Sequence, residues 1–216
     1  MNKKTYILGF LALVVLVGVV WFGSQNEDGI VNQTASILGD DQGQEIIAQE
    51  VTGDLFIGSP DAPVIIIEYT SHFCSFCIDF HNERLPLLVE KYIKTGQVKL
   101  ISRFISPAEV GLAVLCAQEE GKFSEMSDHI FKHVQELESA DDLIVMAQAV
   151  DLNQENFNQC FNNRKYEDRV EEWFDQATQS GVEGTPTFFI NGQKIVGNQP
   201  YLIFEEAINQ AIEESK

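Results

Sequence analysis

The stretch Val64-Ile65-Ile66-Ile67-Glu68-Tyr69-Thr70-Ser71-His72-Phe73-Cys74-Ser75-Phe76-Cys77 decides the fold. It opens with an almost continuous apolar run, which is typical of a strand buried on both faces of a sheet. A Cys-x-x-Cys pair follows at the start of a helical pattern that extends to about Thr95 and ends at Gly96. The segment Val98–Phe104 is predicted to form the next strand. Strand, helix and strand in this order predict a right-handed parallel crossover.

Residues from about 107 to 180, downstream of the second strand, show no strand pattern. Apolar positions recur there at helical spacing, which predicts an all-helical insertion made of several helices. Breaks between the helices are expected where turn-forming or capping residues interrupt the pattern, near Gly121, Ser139, Asn153 and Arg164.

A β-hairpin is predicted from two short strand-like segments, at residues 187–190 and 193–196, that are separated by Asn191-Gly192. A two-residue Asn-Gly link between such runs is the strongest local signal for a hairpin. The amphipathic pattern that follows, over about 200–215, predicts a closing helix.

The charge of the chain restricts the classes of partner that it can have. The 216 residues include 33 acidic and 14 basic side chains, for a formal net charge of −19. Phosphate recognition needs clustered lysine and arginine, so no nucleic acid is expected as a partner. A hydrophobic share of 44% is enough to build a packed core.

An apolar run at residues 5–23 follows Lys3 and Lys4 and has no charged residue. Its length matches a helix that spans a bilayer and exceeds the usual core of a signal peptide. We predict a transmembrane anchor after a cytoplasmic stub at 1–4, with a cleaved signal peptide or a buried helix as alternatives. Because the lysines are expected to stay cytoplasmic, the remaining chain lies in the periplasm or at the cell exterior, where disulfides persist.

Residues 24–50 are rich in Gln, Asn, Asp, Gly and Ser, a composition that predicts a flexible tether. The folded domain is then expected to occupy residues 51–216. We predict an α/β domain with an all-helical insertion at about 107–180, preceded by a transmembrane helix.

Cys74 and Cys77 stand at the predicted start of the first helix. Unpaired backbone N–H groups and the helix dipole stabilise an anion at that place, which lowers the pKa of the first cysteine. Cys74 is therefore predicted to be the exposed nucleophile, and Cys77, one turn further on, the buried resolving partner. Such a pair exchanges disulfides with substrates.

Three other interpretations of this pair remain open. The two sulfurs could form a purely structural disulfide, although so short a loop removes little chain entropy. They could ligate zinc together with His72 and His81, or stay as buried free thiols. No metal and no cofactor is expected under the redox interpretation.

Thr185-Pro186 lies immediately before the first hairpin strand. Given the hairpin and the cysteine pair, we predict a cis-proline turn that lies against the active disulfide. Its backbone could pair with an extended substrate segment. An ordinary trans-proline loop is the alternative.

Other residues near the pair are predicted to adjust its chemistry. Glu68 interrupts the apolar strand, and a buried carboxylate there would have a raised pKa and accept the proton of Cys77. A solvated position at the sheet edge is the alternative. Ser75, Phe76 and His72 are predicted to contact substrate or tune the cysteines, unless Phe76 packs internally or His72 is simply exposed.

Cys116 and Cys160 both fall in the predicted helical insertion. If bridged, they would close a loop of about 44 residues, worth roughly 4 kcal/mol in the chain-entropy description of disulfides. A structural disulfide is predicted, with buried free thiols or a relay pair for the active centre as alternatives.

Three features in this order resemble the DsbA-like branch of the thioredoxin superfamily, including its membrane-tethered bacterial members. They are Val64–Tyr69, then Cys74-Ser75-Phe76-Cys77, then Gly181-Val182-Glu183-Gly184-Thr185-Pro186-Thr187-Phe188-Phe189-Ile190-Asn191-Gly192. The likeness covers about residue 50 to the end, and Cys116-Ala117 with Gly121-Lys122-Phe123 is similar to the family's insertion. The resemblance implies a thioredoxin fold with Cys74 as nucleophile, Cys77 as its partner and Pro186 as the cis-proline.

The resemblance also implies an enzyme, a thiol–disulfide oxidoreductase that introduces disulfides into cysteine-containing extracytoplasmic proteins. It implies reoxidation by a quinone-linked membrane partner. Ser75 stands where many members carry proline, which leaves the redox potential and the direction of transfer open. A disulfide reductase or isomerase is the alternative within the same chemistry. A non-catalytic binding or chaperone module, or a zinc-binding structural protein, is the alternative of another class.

Overall fold

The computed structural model describes residues 48–216, in which five strands form one sheet. The sheet order is β1-β3-β2-β4-β5. The strands β2 and β3 run parallel, and the other neighbouring pairs in this described sheet are antiparallel. Their bounds are Phe56–Gly58 for β1, Val64–Thr70 for β2, Val98–Phe104 for β3, Thr187–Ile190 for β4 and Gln193–Val196 for β5.

The helix between β2 and β3, α1, runs through residues 75–93 and alternates between two hydrogen-bond patterns. The α-helical segments Ser75–Asp79 and Leu85–Leu88 are each followed by a π-helical one, Phe80–Arg84 and Val89–Ile93. Pro86 lies two residues after the end of the first π segment, and proline has no N–H with which to continue the α-helical pattern. The predicted helix is therefore present, but its interior departs from the regular α-helix that the apolar spacing suggested.

Five α-helices lie between β3 and β4 in the described chain and fill the predicted insertion. They are α2, Ala108–Gln118; α3, Phe123–His133; α4, Ala140–Ala149; α5, Gln154–Asn162; and α6, Glu167–Gln179. The expected breaks separate successive helices. Gly121 and Arg164 take left-handed backbone angles, with φ of +71° and +50°, while Ser139 and Asn153 cap α4 and α5. The α/β fold with a large helical content is confirmed.

The hairpin of β4 and β5 has the predicted bounds and the predicted turn. Asn191 and Gly192 have φ of +43° and +93°, the positive angles that the commonest two-residue hairpin turn requires at both positions. The side-chain oxygen of Asn191 accepts a hydrogen bond from the Ile65 backbone N–H at 2.8 Å, which fixes the turn against β2. The closing helix, α7, follows at Tyr201–Glu214.

Side chains of β2 alternate between two buried layers, which explains why the strand is apolar on both faces. Val64 and Ile66 pack with side chains of α1 and α7, including Phe80 and Phe204. Ile65, Ile67 and Tyr69 pack on the opposite face, where α6 covers the sheet. Glu68 belongs by its position to the α1 side, and this places its carboxyl group under the helix that carries the cysteines.

The boundary between tether and domain differs from the prediction. Two cations on β3, Lys99 and Arg103, are buried, and buried charges are unfavourable without partners. Lys99 pairs with Glu50 at 2.7 Å, and Arg103 donates to the Gln49 carbonyl oxygen at 2.6 Å. Residues 48–50, assigned to the tether from composition, therefore pack on the domain because they supply partners for these cations.

The first strand, β1, was not predicted. It has three residues and pairs antiparallel with β3, whose sequence lies more than 40 residues away. Three residues are too few to show an alternating pattern, so the partner strand decides this conformation.

The predicted stub at 1–4, the anchor at 5–23 and the tether up to residue 47 lie outside the described residues. Within 48–216, no helix has both the length and the apolar character that crossing a membrane requires.

Candidate active site

Cys74 is the N-cap residue of α1, at the carboxyl end of β2. A tight turn brings it there, in which the Cys74 N–H donates to the Ser71 carbonyl oxygen at 3.2 Å. Its own backbone is extended, with φ of −91° and ψ of 118°, and its carbonyl oxygen accepts the first helical hydrogen bond from Ile78 at 3.0 Å. The sulfur therefore lies where the backbone N–H groups of the first turn are unpaired.

The turn before β4 lies against this sulfur. Antiparallel pairing sets Tyr69 opposite Thr187, so the residues just before β4 lie at the end of β2. The Thr185–Pro186 peptide bond is cis, and the Cys74 thiol donates to the Thr185 carbonyl oxygen at 3.2 Å. The Thr185 backbone thus reaches the first cysteine, and its carbonyl oxygen is the backbone acceptor of the Cys74 thiol.

Hydrogen bonds stabilise the thiolate form of Cys74. Burial alone would raise the pKa of this half-buried thiol. The side chains of Thr185 and Cys77 and the backbone N–H groups of Cys77 and Phe76 outweigh burial, and the pKa of Cys74 falls below its ordinary value. A lower pKa gives more thiolate near neutral pH and a better leaving group in disulfide exchange.

Cys77 has the opposite character. It is fully buried and not bonded to Cys74, so both sulfurs are thiols here. Burial, opposed by the Thr70 hydroxyl and reinforced by the charge of Glu68, raises the pKa of Cys77 to about 12. Near neutral pH Cys77 therefore holds its proton, and any reaction that makes it a thiolate needs a nearby acid–base group.

Glu68 is such a group. Its side chain is 5% exposed, and burial raises the pKa of its carboxyl group to about 7, against smaller lowering effects of the Thr70 hydroxyl and of His81. The alternative of a solvated glutamate at the sheet edge is therefore wrong. A carboxyl group with a pKa near neutrality can both donate and accept a proton at that pH.

His72 does not face solvent, which corrects its interpretation as a residue that contacts substrate or is simply exposed. It is fully buried between the rings of Phe104 and Phe131, at centroid distances of 4.8 and 4.0 Å, and its Nε2 pairs with Ser127 Oγ at 3.0 Å. Burial, followed by repulsion from His81, lowers the pKa of His72 to about 3. The ring is uncharged at neutral pH and cannot stabilise a thiolate by its charge.

His81 lies one helical turn beyond Cys77 on α1, and its Nε2 is 2.9 Å from Asp128 Oδ1 on α3. Its ring stacks on Phe131 at 4.1 Å. The two histidines of the zinc hypothesis are thus engaged with groups other than the cysteines. Among residues 48–216, no group of three or more His, Cys, Asp or Glu side chains could hold a metal ion.

An exposed apolar surface surrounds Cys74. Phe73 is 51% exposed and Phe76 is 61% exposed, and Ser75 between the cysteines also faces solvent. The alternative in which Phe76 packs internally is therefore wrong. Neighbouring large apolar side chains that face solvent are typical of surfaces that bind other chains.

The other two cysteines form a disulfide between α2 and α5. Cys116 and Cys160 have sulfurs 2.04 Å apart and Cα atoms 5.8 Å apart, in the same buried cluster that includes Cys77. Because each sulfur is bonded to the other, neither is a free thiol.

Two residues near the site were missed from the sequence. Thr70 could have been found, because it follows Glu68 by two positions and so shares its face of β2. Asp128 could not, because it lies on α3 of the helical insertion and only tertiary packing brings it to His81.

Comparison with known proteins agrees with this arrangement. The sequence model of the family described as Thioredoxin matches residues 50–210. The "Na(+)/H(+) antiporter NhaA 3" of Salinispora tropica is 32% identical over 162 residues, which are 72% of this chain. This chain spans only 24% of the length of that relative. "Probable disulfide bond formation protein D" of Bacillus cereus is 26% identical over 231 positions that cover 98% of both chains.

A solved structure shares the architecture. The structure of alpha-DsbA1 from Wolbachia pipientis superposes with a TM-score of 0.70 at 26% identity, over 77% of this chain and 94% of that one. The family match covers the sheet, the helical insertion and the cysteine pair. The chain therefore belongs to the thioredoxin family, and within that family it is similar to the DsbA-like thiol–disulfide oxidoreductases.

Proposed function

We propose that this protein is a thiol–disulfide oxidase that introduces disulfides into cysteine-containing extracytoplasmic proteins. One observation carries the proposal: a solvent-reachable Cys74 with a lowered pKa stands beside a buried Cys77 with a pKa of about 12. Stabilising the Cys74 thiolate stabilises the reduced pair, and a pair that prefers the reduced state oxidises its substrates.

The reaction starts from the Cys74–Cys77 disulfide. A substrate thiolate attacks Cys74 Sγ, the bond to Cys77 breaks, and Cys77 leaves with the electron pair. Glu68 protonates the departing Cys77, so the buried site does not have to hold a thiolate. A second substrate thiolate then attacks the substrate sulfur of the mixed disulfide and releases Cys74 as thiolate. Two electrons pass from the substrate dithiol to the protein.

The turn at Thr185-Pro186 binds the substrate chain in this proposal. In the reduced protein the Thr185 carbonyl oxygen accepts from the Cys74 thiol. Once Cys74 is bonded to substrate, that carbonyl is free to accept an N–H of an extended substrate segment, as in β-strand addition. Phe76 and Ser75 contact side chains of the same segment and tune the pair.

The proposal includes a location and a partner. Residues 5–23 anchor the chain in a membrane with the domain outside, a placement supported by the uncharged run after Lys3 and Lys4. A quinone-linked membrane protein removes the two electrons from the Cys74–Cys77 dithiol, by analogy with the family. Resistance to alkaline extraction, together with protease access to the domain in intact cells, tests the anchor and its orientation.

The reduction potential of the Cys74–Cys77 pair tests the direction of transfer. We expect a value less negative than about −200 mV from equilibration in glutathione buffers, the range of oxidases and isomerases. A value at or below about −270 mV, that of thioredoxin, would instead make the protein a reductase.

Two cysteine variants test whether the site turns over. With Cys77→Ala and the disulfide of a monothiol peptide, we expect a mixed disulfide between Cys74 and the peptide to accumulate, because the Cys74 thiolate displaces one peptide thiolate and no Cys77 thiol is present to release the other. With Cys74→Ala, we expect neither mixed disulfide nor peptide oxidation. Retained oxidation in Cys74→Ala rejects Cys74 as the nucleophile and favours a binding or chaperone module.

A further inference from the structure

The reactive sulfur stands at the middle of one edge of the sheet. The strand β2 lies between β3 and β4. Because β2 and β3 are parallel, in a register that pairs Thr70 with Phe104, their carboxyl ends meet at this edge. The strand β4 is antiparallel to β2 and begins here. Cys74, which follows β2, therefore has the Thr185 turn on its β4 side and the segment that follows β3 on its other side.

A groove of about 260 Å³ lies on the β3 side, and we call it the Phe73 groove. Phe73, the residue before Cys74, is 51% exposed and forms one wall. Pro107, the residue before α2, forms another, and the buried Val110 and Leu143 belong to the floor. The volume is below the roughly 300–1,000 Å³ of small-molecule pockets, so the groove suits a single large apolar side chain.

The mouth of the Phe73 groove carries negative charge. Glu109 and Glu138 line it, and none of its described lining residues is lysine or arginine. Glu138 is exposed and forms no salt bridge with any residue of 48–216. Glu109 is 3.8 Å from Arg164, whose guanidinium lies closer to Glu167, at 2.8 Å. A cation at this mouth therefore meets charge that the fold has not neutralised.

An anion is a poorer occupant of the same place. The helix α4 begins beside the groove, and the unpaired N–H groups of a helix start attract anions. Here Asp142 already fills that role, because its carboxylate accepts from the Glu138 and Ser139 N–H groups at 3.0 and 2.7 Å. The net charge of −19 adds a general attraction for cationic peptides.

We propose that the Phe73 groove is a substrate subsite that binds an apolar side chain with a lysine or arginine next to it, close in sequence to the substrate cysteine. This rests on the proposed function, because the substrate bonded to Cys74 is the chain that reaches the groove. Neighbouring strands are about 4.8 Å apart and an extended chain advances about 3.3 Å per residue, so a position two or three residues from the cysteine reaches it. The protein thereby selects among substrate cysteines by the sequence beside them.

The test compares how fast matched dithiol peptides reduce the Cys74–Cys77 disulfide of the 216-residue chain. Three peptides carry leucine–arginine, serine–arginine or leucine–glutamate near the attacking cysteine, and each is made with the pair before or after it. For one of these two placements we expect leucine–arginine to react roughly tenfold faster than serine–arginine, because the leucine side chain is buried. We expect it to react roughly fivefold faster than leucine–glutamate in low-salt buffer.

Two variants alter the groove. Ala140 is exposed and lines it, so Ala140→Trp fills the groove from its rim without changing the buried floor. We expect the ratio of the leucine–arginine rate to the serine–arginine rate to fall to about one. Glu138→Lys should bring the ratio of the leucine–arginine rate to the leucine–glutamate rate to about one. Each ratio compares two peptides on one protein, so a change in the cysteines themselves cancels.

Matched controls make the same changes elsewhere. Val145→Trp adds the same ring at a 64% exposed position of α4 outside the groove. Glu171→Lys makes the same change of charge at an exposed position of α6. Both controls should keep the wild-type ratios, because neither residue lines the groove.

The outcomes separate this subsite from the proposed function. Equal rates for the three peptides overturn the subsite and leave the proposed function standing, because the disulfide is still reduced. A leucine preference that survives in Ala140→Trp, or an arginine preference that falls as far in Glu171→Lys as in Glu138→Lys, also overturns the subsite. If the wild-type protein oxidises none of the peptides, the proposed function is rejected and the subsite with it.

Discussion

Replacing Glu68 by glutamine is predicted to make the protein more stable at alkaline pH. The folded protein raises the pKa of this carboxyl group from 4.5 to about 7. Between these values the folded state keeps a proton that the unfolded state has lost, so folding stability falls as the pH rises and stays low above about pH 7. At about 1.4 kcal/mol for each pKa unit, the loss is about 3 kcal/mol. The side chain of Glu68→Gln cannot ionise, so this variant does not lose folding stability as the pH rises.

Urea unfolding of wild type and Glu68→Gln, at about pH 4.5 and about pH 8, measures this quantity. The difference in stability between the two proteins should change by about 3 kcal/mol between these conditions in favour of the variant. Any pH-independent effect of the substitution cancels in this comparison. Glu125→Gln, on the exposed face of α3, removes the same charge and should show no such change. A difference that stays constant within about 0.5 kcal/mol would refute the buried, high-pKa carboxyl group.

Three further variants test other parts of the structure. Replacing Cys116 and Cys160 together by serine should lower the free energy of unfolding by about 4 kcal/mol, measured with urea under non-reducing conditions. Arg103→Met leaves the buried Asp54 carboxylate, 2.8 Å from the guanidinium, without its cation, and should cost about 3–5 kcal/mol in the same assay. Phe76→Ala should change stability by less than about 0.5 kcal/mol, because the ring is exposed, but raise the KM for peptide oxidation.

Elements with a local cause could be predicted from the sequence. The strand β2 is covered on both faces, so its residues are apolar almost without interruption. The hairpin follows from Asn191 and Gly192, which accept the positive φ that its turn requires. The helical insertion follows from apolar spacing and from caps such as Ser139. In each case the information lies within a few residues of the element.

Features that depend on distant partners could not be predicted. The three residues of β1 are a strand because β3 offers them hydrogen bonds. Gln49 and Glu50 look like tether residues until Arg103 and Lys99, buried on β3, need partners. His72 follows β2 in a polar segment, yet packing between two phenylalanine rings buries it. These outcomes are set by tertiary contacts that no local pattern records.

The same burial that costs stability at Glu68 makes it suitable for chemistry. Near neutral pH, a free glutamate would be ionised and could not protonate a departing thiolate. In the proposed reaction, a Cys77 with a pKa of about 12 takes that proton readily from an acid with a pKa of about 7, and the ionised Glu68 takes it back when the dithiol is reoxidised. Cys74, with its lowered pKa, needs no such help to leave. In the proposed reaction the two sulfurs are therefore stabilised differently, Cys74 by hydrogen bonds at the surface and Cys77 by a proton from a buried acid. Glu68→Gln is therefore expected to gain stability at alkaline pH while leaving Cys77 to depart without this proton donor.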